Sequence, residues 1–247
     1  MEAKVLEKIA AQQEKTIKLL SRLSEQKQDE KIEVDKKTAF VKNRIFQVRT
    51  DSAIPNVSQD PAFFIHVIPA EFNFKNVLEF APPKIYDIMN NVHPWFEGGC
   101  DYLYNFDGFA TYIKDTKGEV RSYSQILRNG IAELYVTALP MVDHSENLFI
   151  DGARFFGMLN IRLGGIINAL IELNFNTKYD VYFSFVNCKN VAFLNNRLKT
   201  FPMSQDFAYL PPVQIEASTE LNNQPNYTRT LNHIAQNFGM SNRYNGR

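Results

Sequence analysis

The chain has 247 residues, and its 27 Lys and Arg balance 27 Asp and Glu to a formal net charge of zero. That balance argues against a partner held by a broad basic surface, as nucleic acid is. Hydrophobic residues at 45% and charged residues at 22% exclude a largely disordered chain, and two cysteines, Cys100 and Cys188, form neither a disulfide framework nor a four-ligand zinc site.

Residues 1–40 contain no Gly, no Pro and no aromatic residue before Phe40, and are rich in the good helix formers Lys, Glu, Gln, Ala and Leu. Leu6, Ala10, Gln13, Ile17 and Leu20 recur at spacings of four, three, four and three. That pattern is a coiled-coil seam of about two heptads, with Gln13 suited to fixing register. Self-association through this helix stands beside a solvated helix or linker. From Gln26 to Lys37 charge replaces the seam, so that stretch reads as a frayed extension or tether. The domain plan is an N-terminal helix over 1–40 and a single domain over 41–247. The charged start, Met1–Ala10, lacks the pattern of a signal peptide. No run reaches the roughly 18 apolar residues of a membrane helix. The expected compartment is the cytoplasm, with no membrane partner.

Beyond residue 40 both periods occur. Phe63–Ile68, closed by Pro69, reads as a buried strand, and Lys84–Asn90 as a short helix between proline-marked loops. Three strands follow at Phe106–Asp115, Val120–Arg128 and Ile131–Leu139, the last two joined by Asn129-Gly130. Asn-Gly signals a two-residue hairpin turn, with both residues at positive φ. Such a turn sets Arg128 opposite Ile131 and Ile126 opposite Glu133. Tyr123, Gln125 and Leu127 then share a core face with Ala132, Leu134 and Val136. A two-residue turn at Lys117-Gly118 adds Asp107 opposite Arg128, clustering one arginine with two carboxylates. A long helix is expected at Leu148–Leu173, burying Phe155, Leu159, Ile166 and Leu170, with Gly164-Gly165 allowing close packing or a kink. A strand at Tyr179–Val186 and a final helix at Thr228–Phe238 complete the chain. The fold class is α+β: a mainly antiparallel sheet with a three-strand meander packed by a long helix, preceded by an N-terminal helix or coiled coil.

Phosphate-loop, dinucleotide-binding and nucleophile-elbow motifs are absent, and the four histidines stand far apart in sequence. No catalytic residue, metal ligand or cofactor is assigned. Binding candidates are Asp107, Arg128, Glu133 and the strand histidine His66. The ion cluster itself reads as structural, because carboxylates beside an arginine stay ionised.

Ile65-His66-Val67-Ile68-Pro69, Tyr104-Asn105-Phe106-Asp107-Gly108 and Gln125-Ile126-Leu127-Arg128-Asn129-Gly130-Ile131-Ala132-Glu133 carry a family resemblance. Together with Leu210-Pro211 and Phe238-Gly239, they make residues 41–240 resemble the C-terminal region of bacterial proteins with a Schlafen-type, AlbA-like DNA-binding domain. In that family the AlbA-like domain precedes this region, where here the helical segment 1–40 stands, so its nucleic-acid and nucleotide functions are not carried over. The resemblance implies a companion module in a regulatory or phage-defence setting. The leading expectation is a non-enzymatic bacterial sensing or protein-interaction module, a homo-oligomer through its N-terminal helix. The alternatives are a nucleic-acid-binding transcriptional regulator, using C-terminal Arg229, Arg243 and Arg247 with Tyr227 and Tyr244, and a hydrolase or nuclease using Asp107 and Glu133.

Overall fold

The computed structural model describes residues 2–50, 54, 56–71, 87–88, 91–96, 98–105, 107–137, 139–142, 146–175, 178–195, 198–199 and 202–216. The helix expected at Thr228–Phe238 and the C-terminal arginines and tyrosines lie outside these residues, as does nearly all of Lys84–Asn90. The chain forms two compact units, Met1–Phe46 and Gln47–Arg247.

The first unit is built from one helix, α1, which spans Glu2–Thr50 and so runs on into the second. The expected fraying at Gln26–Lys37 does not occur. No Gly or Pro stands anywhere in residues 1–50, and most of the charge in that stretch is carried by Lys and Glu, which are good helix formers. Glu33 and Lys37 add a pair one turn apart, 3.4 Å from Oε1 to Nζ.

The second unit contains β1 (Ala62–Pro69), β2 (Asp101–Tyr104), β3 (Gly108–Lys114), β4 (Val120–Leu127), β5 (Ala132–Thr137), β6 (Met141–Val142) and β7 (Leu148–Asp151). Helix α2 (Gly152–Glu172) follows, then β8 (Lys178–Val186), β9 (Ala192–Asn195), β10 (Leu198–Lys199), β11 (Phe207–Tyr209) and β12 (Val213–Glu216). The main sheet has eight strands in the order β11-β8-β1-β5-β4-β3-β2, with β12 also on β8. Its strand pairs are antiparallel. A smaller sheet runs β10-β9-β7-β6, with β7 and β9 parallel. The fold is α+β, and its long apolar run is a central strand: every residue of β1 is buried between β5 and β8.

Helix α2 begins later than its apolar pattern suggests. Leu148–Asp151 is strand β7, and Asp151 caps the helix by accepting the Arg154 N–H at 3.1 Å. Phe155, Leu159, Ile166 and Leu170 are buried in one cluster with Phe63, Ile65, Leu134 and Phe183. Gly165 provides the close packing: a Cβ there would stand 2.6 Å from the Asn91 carbonyl oxygen. Among the described residues α2 alone is long and apolar enough to cross a membrane, yet that apolarity serves the core.

The β4–β5 hairpin corrects the expected register by one residue. Gly130 N–H bonds the Leu127 carbonyl at 2.9 Å and Leu127 N–H bonds that of Ile131 at 2.8 Å, leaving three residues in the loop. Gly130 alone of the three takes a positive φ, +82°. This is a turn followed by a glycine bulge, not the two-residue turn that Asn-Gly suggested. Gln125 therefore faces Glu133, and Ile126 faces Ala132. Since neighbouring strand residues point to opposite faces, the slip exchanges the faces. Ile126 joins Ala132, Leu134 and Val136 in the core with α2, while Tyr123 and Gln125 lie with Glu133 on the other side. The β3–β4 loop is also three residues long, Gly118 N–H bonding the Asp115 carbonyl at 3.1 Å. There a bulge restores the register: Ile113 pairs with Ser122 and Lys114 with Val120, leaving Arg121 as the extra residue.

Candidate functional site

The four binding candidates separate into two places. His66 on β1 pairs with Glu133 on β5, and both are completely buried. His66 Nε2 hydrogen-bonds with Glu133 Oε2 at 2.9 Å, and the Tyr123 hydroxyl donates to Oε1 at 2.7 Å. Tyr123 stacks on Tyr135, whose own hydroxyl donates to the Ser58 carbonyl at 2.6 Å. Desolvation pushes the Tyr135 phenol well above its ordinary range, so it remains a donor at any physiological pH. Two further buried polar atoms, His66 Nδ1 and Ser184 Oγ, have no hydrogen-bond partner among the described residues. This set ties β1, β4 and β5 together in one register.

Arg128 and Asp107 sit instead at the outer end of the meander. Arg128 N–H bonds the Asp107 carbonyl at 2.8 Å, so these residues are opposite each other as expected. The Arg128 guanidinium lies 5.2 Å over the Tyr104 ring and donates to its hydroxyl at 3.1 Å. The carboxylate of Glu133 is held by His66 and Tyr123, so the expected three-residue ion cluster is replaced by two separate arrangements.

A third place went unassigned in the sequence. A cleft of about 620 Å³ opens beside the first turns of α2, within the size range of small-molecule sites. Trp95 and Phe155 form one wall, with ring centres 5.3 Å apart, and Leu139, Ile150 and Met158 continue the apolar lining. The Trp95 segment is anchored from both sides. Its N–H donates to Ser122 Oγ at 2.7 Å, and its carbonyl accepts from Arg162 Nε at 3.3 Å. Arg121 and Arg154 bring cations to this apolar lining. The guanidinium of Arg121 stacks 5.0 Å above Phe96. Asp151, the nearby carboxylate, is engaged as the α2 cap. Among the described residues neither arginine has an ion-pair partner within 4.0 Å. The carboxyl of exposed Asp115 is held low first by the Glu119 backbone N–H, with the Arg121 charge the last of its causes.

Sequence signals for this cleft were thin. Trp95 is the sole tryptophan, and Asp151 and Arg154 interrupt an apolar stretch, but a bulge that redirects Arg121 has no local signature. A second recess of about 550 Å³ lies farther along α2, lined by His93, Arg162, Asn168 and Glu172 among others. Among the described residues no group of three or more His, Cys, Asp or Glu is placed to hold a metal. Cys188 is buried, which pushes its thiol up to about 12, and Cys100 is half-buried. No family model, curated protein or solved structure matches this chain.

Proposed function

We propose that the chain is a non-enzymatic sensing and interaction module of the bacterial cytoplasm that associates with a second copy of itself through α1. The observation that carries this is the apolar surface of that helix. Ile17, Leu20 and Leu23 step by three residues along one side and are 67%, 60% and 52% exposed. An unpartnered stripe of this kind favours a helical partner. A second copy suits it because residues 1–37 carry nine basic and eight acidic side chains, so like helices meet without net repulsion.

The non-enzymatic part is supported by His66 and Glu133. They pair an imidazole with a carboxyl group, but they are fully buried and bonded to each other. A regulatory or phage-defence setting follows from the resemblance to the companion region of Schlafen-type, AlbA-like proteins. The test is light scattering on the full chain. The parent should be an oligomer, and Ile17→Glu with Leu20→Glu should reduce it to monomer mass. A monomeric parent, or an unchanged oligomer in the double variant, would sink self-association.

A further inference from the structure

We propose that the cleft at the head of α2 binds a small amphipathic anion, an apolar aryl or acyl body carrying a single carboxylate. The body would lie against Trp95, Phe155 and Met158, and the carboxylate would meet Arg121 and Arg154. Three independent features converge here. The cleft is large enough for such a molecule and mostly apolar within, which favours a hydrocarbon or ring over a sugar. Its two guanidiniums have no ion-pair partner among the described residues, and arginine's fork of donors matches a carboxylate. The bulge on β4 makes Arg121 the residue its strand leaves out of register, and stacking on Phe96 holds its charge against the apolar lining. The cap of α2 is not the anion site, because Asp151 already occupies it and repels negative charge.

This deepens the sensing half of the proposed function and is independent of self-association. The test uses Trp95, the only tryptophan, so that emission from the full chain reports on the cleft directly. Phenylbutyrate and decanoate serve as aryl and acyl probes, with phenylbutyramide as the neutral counterpart. At least one carboxylate should change Trp95 emission saturably, and phenylbutyramide should bind at least about tenfold more weakly than phenylbutyrate where the latter binds. Arg121→Gln and Arg154→Gln should each weaken the carboxylate about tenfold. Neither side chain is in the core, and a circular dichroism spectrum checks each fold. The amide comparison needs no variant, so it decides even if one misfolds. Equal binding of acid and amide, no saturable change with any probe, or full affinity in both folded variants would overturn the proposal. An oligomer blind to every probe would sink the cleft alone, and a monomer that binds them would sink self-association alone.

Discussion

The two faces of the β1–β5–β4 core are equally buried but hold together differently. On one, Phe63, Ile65, Leu134, Val136 and Ile126 meet α2 in an apolar cluster. On the other, Phe64, His66, Glu133, Tyr135 and Tyr123 are just as buried, yet carry a carboxylate, an imidazole and two phenols. Apolar packing has no directional demand, so several registers could satisfy it in part. On the polar face Glu133 meets both His66 and Tyr123 in one register only. Sliding β5 by one residue would remove Glu133 from His66 and Tyr123 and leave a carboxylate uncompensated in a dry interior. Apolar burial supplies much of the driving force, and the polar group selects the alignment.

The comparison is most sharply tested by Glu133→Ala. It leaves the His66 and Tyr123 donors buried without their acceptor and should cost about 3–5 kcal/mol in urea unfolding. Arg128→Ala, at the more open end of the same meander, should cost under about 1 kcal/mol, because its ring contact and hydrogen bond are largely solvated. Equal losses would mean that the buried network contributes no more than surface charge.

On the apolar side, Leu159→Ala should cost about 2–5 kcal/mol, as truncation of a fully buried leucine does. A loss below about 0.5 kcal/mol would show that α2 presents a different face to the sheet.

The last effect concerns pH. Burial raises the Cys188 thiol from 9.0 to about 12, so folding favours its neutral form. That contribution is complete below pH 9 and is lost as pH rises towards 12. Cys188→Ala should therefore flatten the alkaline fall in unfolding free energy. At mildly alkaline pH iodoacetamide should label Cys100 in the native chain before Cys188, and faster labelling of Cys188 would place that thiol outside the core.

Much of the architecture can be read from local pattern alone. Helix-forming composition is enough for a helix within residues 1–40, though not for its unbroken course through Gln26–Lys37 to Thr50, and the run Phe63–Ile68 is enough for a buried strand. The buried stripe Phe155, Leu159, Ile166 and Leu170 follows from helical spacing. These features depend on neighbours within a turn or two, which sequence displays directly. Tertiary structure decided what depends on register and close approach. The difference between a two- and a three-residue loop at Arg128-Asn129-Gly130 rests on one residue's φ, yet it turned Glu133 from an arginine's neighbour into the partner of His66. A single extra residue at Arg121 likewise set a cation beside a tryptophan-lined cleft. Strand side chains alternate with period two, so one residue of slip reverses a whole face, and only the packed sheet determines which slip is satisfied.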